Sequence, residues 1–195
     1  WGYAVACMGE ARTLRAHGIK KPILILGCVF PDEYEEMVEK EIRAAVYTEE
    51  MAKGMADAAA KSGKTAFLHI KIDTGMGRIG FKVSKESVET ISRISKLPNI
   101  KMEGMFTHFA KADEFDKSYT FTQHEKFLWM KEQLEKNGVQ ISYYDCDNSA
   151  GIIDFPDMKH DLARAGISIY GMYPSDEVKK DAVDLKPALE LISHI

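Results

Sequence analysis

Three cysteines in 195 residues, Cys7, Cys28 and Cys146, stand too far apart to make a disulfide framework or a zinc site, and they suit a reducing cytoplasm. Long hydrophobic runs are missing too. No apolar stretch approaches the roughly 18–20 residues that cross a bilayer, and the first residues lack a basic-then-apolar leader pattern. Nor does one sign of charge dominate. With 26 Lys and Arg against 30 Asp and Glu, the net charge of −4 gives no reason to expect nucleic acid or an anionic membrane as partner. No low-complexity linker divides the chain, which reads as one domain. What is present, 45% hydrophobic and 29% charged residues, suits a soluble globular protein and argues against disorder.

Apolar, β-branched runs alternate with helical patterns along the whole chain. Strands are expected at residues 4–6, 22–27, 44–47, 66–73, 102–108, 141–146 and 162–170. Helices are expected around 32–40, from Thr48 to Gly63, at 85–95, at 118–137, and briefly after Asn148. Thr48 has the chemistry of an N-cap, with Glu49 and Glu50 in the first turn, and Gly63 that of a C-terminal stop. Regular alternation of strand and helix implies a parallel α/β sheet with helical crossovers. Two arrangements fit: an open doubly wound sheet, or a TIM-type (β/α)8 barrel lacking its first strand. The abrupt start at Trp1 favours the barrel. Both ends read as cut through ordered elements, so a piece of a longer chain is expected. Residues 1–174 would be the barrel, and 175–195 a connector with the start of a C-terminal β-domain from Pro187 to Ile195.

Four polar segments fall at the expected strand ends, where barrels of this kind carry their active sites. The first is Lys71-Ile72-Asp73-Thr74-Gly75-Met76-Gly77-Arg78-Ile79-Gly80: a buried strand enters a glycine-rich turn whose arginine can bind an anion. Alternation places Phe67, His69, Lys71 and Asp73 on one face and Leu68, Ile70 and Ile72 on the other, so His69 and Lys71 should point into the barrel. The plainer reading of Lys71 is a buried pair with Asp73 or a snorkelling lysine. The second segment, Glu103 to Ala110, carries His108, a structural histidine or a platform for a flat ligand. The third, Asp147-Asn148-Ser149-Ala150-Gly151, is either a phosphate cradle or an ordinary N-cap. The fourth, Leu162 to Gly171, places Arg164 in an apolar segment that requires a buried partner, with Gly166 nearby. Its plainer reading is an ion pair with a neighbouring strand.

As a set, in this order, these segments resemble the barrel of the alanine racemases, fold-type III enzymes that depend on pyridoxal phosphate. The likeness runs essentially from Trp1 to Ile195. The decapeptide from Lys71 and the segment from Leu162 are its specific parts. The resemblance implies that Arg164 faces the pyridine nitrogen of the cofactor, and that His108 lines its ring. It implies that Asn148, Ser149, Gly166 and Ile167 hold the phosphate, and that Arg78 and Met76 lie at the substrate carboxylate. Lys71 matches a lysine that many members carry as a carbamate able to fix Arg78. Two parts of the family pattern are not found in the sequence: the Schiff-base lysine of the first barrel strand, and the tyrosine that the C-terminal domain contributes across a dimer interface. The resemblance therefore implies a homodimeric parent enzyme that makes D-alanine for peptidoglycan, with this piece inactive alone. A serine or broad-specificity racemase, or a non-catalytic pyridoxal-phosphate-binding barrel, are the alternatives.

Overall fold

The computed structural model describes residues 1–158 and 160–192. Its centre is a parallel sheet in the order β1(Tyr3–Val5), β2(Ile23–Ile25), β3(Ile42–Val46), β4(Ala66–Asp73), β6(Ile100–Phe106), β7(Tyr143–Asp145). A two-residue strand, β5(Phe81–Lys82), also pairs with β4. Helices α1(Met8–Ala16), α2(Tyr34–Glu39), α3(Glu49–Ser62), α4(Lys85–Ile94) and α5(Ser118–Lys136) supply the crossovers, and α6(Ser149–Asp154) follows β7. This is a half-barrel of βα units, and it fits a TIM-type barrel.

The alternation of β4 builds both layers. Leu68, Ile70 and Ile72 are fully buried and join the helices in the apolar core. Each contributes about 1.5–3 kcal/mol by leaving water. His69 and Lys71, on the other face, are also buried, but among polar groups of the barrel interior. A register shift between Leu68 and His69, against β6, lets both strands bend. Helix α3 begins where expected: Thr48 Oγ1 accepts from the Met51 N–H at 3.2 Å, and Gly63 ends it at φ 64°. Its alanines and Gly54 permit close approach, since a Cβ on Gly54 would stand 2.5 Å from the Tyr34 ring of α2.

The sheet edges differ in exposure. Tyr3 and Ala4 of β1 are exposed, whereas every residue of β2 and β3 is buried. Past β7, the expected strand over 162–170 does not form. Leu162 makes one parallel bridge to Asp145, and Ile167–Tyr170 is a 3₁₀ turn. The physical reason is Gly166, whose φ −92°, ψ −99° turns the chain off the sheet direction. Residues beyond 174 contain one short 3₁₀ turn, Lys180–Ala182, tied back by Tyr173 Oη donating to the Val183 carbonyl at 2.7 Å. The module expected from Pro187 is not strand over 187–192, and its last residues, 193–195, lie outside the described residues.

Candidate functional site

Polar groups gather at the C-terminal ends of β4, β6 and β7. After β4 the chain turns tightly because Asp73 Oδ1 accepts from the N–H groups of Gly75 and Gly77, each at 3.0 Å. Gly75, Gly77 and Gly80 all have positive φ (145°, 70° and 136°), and a Cβ on Gly80 would lie 2.5 Å from the Asp73 nitrogen. This turn presents Arg78 at the surface with no ion pair among the described residues, beside the half-buried Met76. Lys71 is 2% exposed. Its Nζ donates to the Ile72 carbonyl at 2.7 Å, and it has no carboxylate partner among the described residues. The pair with Asp73 is thus not made, since that carboxylate is engaged by its own turn. Burial, with Arg164 and Arg78 near, lowers the Lys71 ammonium to about 8.

Arg164 is held from several sides. It pairs with Asp145 at the end of β7, and Nη2 donates to the Thr107 carbonyl at 2.8 Å and the Cys146 carbonyl at 3.3 Å. His108 Nδ1 stands 3.5 Å from Nη2. The Nε–H has no protein acceptor among the described residues. The ion pair with a neighbouring strand is therefore real, and it leaves this donor for a ligand. Lys71 Nζ and the Arg164 guanidinium lie 5.5 and 5.3 Å from the Phe106 ring centroid. Burial and the cations Arg164, Arg78 and Lys71 push His108 down to about 4, so its imidazole is neutral at pH 7. Burial pushes the Asp145 carboxyl up to about 6 against the pull of Arg164, and Asp147 likewise to about 6. Each keeps one buried oxygen, Oδ1, without a partner among the described residues.

Ser149 sits beside this cluster. Its Oγ accepts from the N–H of Gly166 at 3.0 Å and of Ser168 at 3.3 Å, with the Ser168 hydroxyl at 3.0 Å. Two main-chain donors and two hydroxyls converge there, a donor set that a phosphate oxygen could take over from Ser149. Asn148 is the N-cap: Oδ1 accepts from the Gly151 N–H at 3.0 Å, and Nδ2 donates to the Phe109 carbonyl at 3.2 Å. Its side chain is thus committed to the turn. The N–H groups that reach Ser149 Oγ are those of Gly166 and Ser168, whereas Ile167, exposed, begins the 3₁₀ turn with no hydrogen bond to Ser149 among the described residues. Sequence reasoning missed Asp145. The signal was available in the run Tyr143-Tyr144-Asp145-Cys146-Asp147, because a buried arginine demands an acid, but only the register brings that acid to Arg164.

A parallel half-barrel with cations, a neutral histidine and a converging set of donors at its strand ends has the layout of the TIM-type barrels, which carry their sites at this face. The particular family follows from comparison. The profile described as alanine racemase, N-terminal domain, matches residues 1–174, and the chain belongs to that family. It is 48% identical over 192 residues to the alanine racemase of Clostridium tetani, covering 98% of this chain and 50% of that protein. Against the alanine racemase of Methanococcus maripaludis it is 46% identical over 195 residues, covering 98% and 52%. Among solved structures, the Clostridium difficile 630 alanine racemase in complex with cycloserine superposes with a TM-score of 0.94 at 44% identity, covering 95% of this chain and 51% of that one. The Bacillus anthracis alanine racemase with bound L-Ala-P gives 0.87 at 33% identity, covering 95% and 48%. The chain thus spans about half the length of the relatives it matches.

Proposed function

We propose that the whole protein interconverts L- and D-alanine with pyridoxal phosphate, in the cytoplasm, supplying D-alanine for peptidoglycan, and that this chain is its cofactor-binding barrel. The observation that carries the proposal is the convergence of Arg164, His108, Lys71 and the Ser149 donor set at one strand-end face of a chain in this family.

The residues suit the cofactor. Gly166 and Ser168 N–H groups with the Ser149 hydroxyl would hold its phosphate, and the Arg164 Nε–H, which has no protein acceptor among the described residues, would donate to its ring nitrogen. A guanidinium donates a hydrogen bond there without transferring its proton, so the nitrogen stays unprotonated. When bound, pyridoxal phosphate supplies a conjugated ring that accepts the electron pair left when Cα loses its proton. Arg164 would thereby restrain that acceptance, favouring return of a proton to Cα over other fates. Neutral His108 lines the ring. Arg78 binds the substrate carboxylate, with Met76 beside it. Lys71, lowered to about 8, is in part a free amine near neutral pH, the form that reacts with CO₂ to give a carbamate.

Racemisation requires a proton-transfer group on each face of Cα. We assign these to parts of the whole protein other than this chain: a lysine on the first barrel strand, and a tyrosine from a C-terminal β-domain, reached through the connector at 175–195, across a homodimer interface. This chain alone is then inactive. The test uses the intact natural protein that carries this sequence, loaded with pyridoxal phosphate, in D₂O with L-alanine, L-serine and other amino acids. Loss of the Cα proton together with racemisation, fastest for alanine, supports the reading. Fastest exchange on another amino acid moves the assignment to that racemase. Bound cofactor with no exchange on any substrate overturns the enzyme reading in favour of a carrier.

A further inference from the structure

Gln123 interrupts an apolar stripe. On α5 the buried positions are Thr120, Gln123, Phe127, Met130 and Leu134, and Gln123 is completely buried. A leucine would pack there at no desolvation penalty, whereas a buried amide is unfavourable unless its donors and acceptor are satisfied. Here they are used with one forced orientation. Oε1 accepts from the Ala110 N–H at 2.8 Å, and Nε2 donates to the His108 carbonyl at 3.1 Å. A main-chain N–H can only donate and a carbonyl can only accept, so the amide cannot be flipped.

The second Nε2 proton goes to Thr74 Oγ1 at 3.1 Å. From there the chain of hydroxyls also has one sense. Thr107 Oγ1 donates to the Ile72 carbonyl at 2.9 Å, so the Thr74 hydroxyl must donate to Thr107 Oγ1, at 2.8 Å. Thr74 and Thr107 are buried. One turn earlier on the helix, Tyr119 Oη donates to the Gly75 carbonyl at 2.8 Å, and a Cβ on Gly75 would stand 2.4 Å from that oxygen. The first turns of α5 therefore grip two loops at once: residues 73–78, which end at Arg78, and residues 107–110, which carry His108.

We propose that Gln123 is a positioning residue that fixes the Arg78 loop relative to the His108 loop, so that a substrate carboxylate and the flat ring beside it are bound in one relative orientation. This rests on the function proposed above for Arg78 and His108; the coupling of the two loops stands apart from it. A hydrogen-bonded chain whose every proton has one place resists displacement of either loop more than separate contacts do.

The test uses the intact natural protein and three variants: Gln123→Leu, Thr74→Val and Thr74→Ser. Gln123→Leu removes both loop contacts, Thr74→Val removes the Arg78-loop contact alone, and Thr74→Ser restores the hydroxyl. Hydrogen exchange is read at the amides of Gly75, Gly77 and Ala110, and steady-state constants are read with alanine. Gln123→Leu is expected to speed exchange at all three amides by about tenfold or more, and to raise KM and lower kcat by about tenfold each. Thr74→Val should speed Gly75 and Gly77 but not Ala110 and raise KM alone, by about three- to fivefold, with Thr74→Ser near the parent in both readouts. If Gln123→Leu does not fold, the Thr74 pair decides in the same way. A parent protein that fails to racemise alanine overturns the proposed function while exchange still reports on the coupling. A parent that racemises, with exchange and both constants unchanged in the variants, overturns the role of Gln123.

Discussion

Two buried polar clusters share the barrel interior, one above the other along β4, and they are built on opposite plans. In the lower one, Arg43 of β3 binds Glu103 of β6 through Nε at 3.0 Å and Nη2 at 3.3 Å, and His69 Nε2 of β4 meets the same carboxylate at 3.2 Å. Arg43 also donates to the Glu41 carbonyl at 2.7 Å and stacks 4.4 Å above the Phe67 ring. The upper cluster begins two residues further along β4, at Lys71. There, among the described residues, Lys71 lacks an acid, Arg164 keeps a donor free, and Asp145 and Asp147 each keep a buried oxygen unpaired. A closed network in a barrel's lower layer holds strands together. An incomplete one at the C-terminal face leaves binding capacity for something else.

Cutting the lower cluster should have the largest effect. Glu103→Gln leaves the Arg43 guanidinium buried without a counter-charge, and unfolding free energy in urea should fall by about 3–5 kcal/mol. The folded fraction should bind pyridoxal phosphate as the parent does. Arg78→Ala should do the reverse. This exposed side chain carries little stability, within about 0.5 kcal/mol of the parent, whereas KM for alanine should rise about tenfold or more, equivalent to about 1.4 kcal/mol.

An effect of similar size is a difference in pH dependence. Burial raises Glu103, but hydrogen bonds from His69 and Arg43 outweigh it and hold the carboxyl at about 2. Its stabilisation is complete above the ordinary glutamate range and is lost as pH falls through about 2. Asp147 is raised to about 6, mainly by burial. The folded state therefore holds its proton more tightly than the unfolded chain does, and that contribution is lost as pH rises from about 4 through about 6. Asp147→Asn should flatten this fall by about 1–2 kcal/mol when unfolding is measured between pH 4 and 7.

The sequence carried the scaffold well because local chemistry decides it. The bounds of β4 and the two caps of α3 are where alternation and capping place them. Lys71 faces inward because Leu68, Ile70 and Ile72 claim the helix side. Non-local pairing was less legible. The apolar run after Leu162 reads as a strand, yet the conformation at Gly166 ends pairing at a single bridge. Asn148 has the composition of a phosphate ligand, but its amide is spent on Gly151 and Phe109. Asp145 and Gln123 became visible only when strand register and helix phase brought them to Arg164 and to the two loops. Gln123 had left one trace, a polar residue in an apolar stripe.

The most direct measurement titrates the intact natural protein with pyridoxal phosphate and with pyridoxal, which lacks the phosphate, comparing the parent with Ser149→Ala and Glu103→Gln. The parent is expected to bind the phosphorylated form at least about tenfold more tightly, Ser149→Ala to narrow this preference severalfold, and folded Glu103→Gln to keep it. Equal affinity for the two forms in the parent, or a preference that Glu103→Gln abolishes and Ser149→Ala leaves intact, would contradict the assignment of the upper cluster as the open, cofactor-binding one.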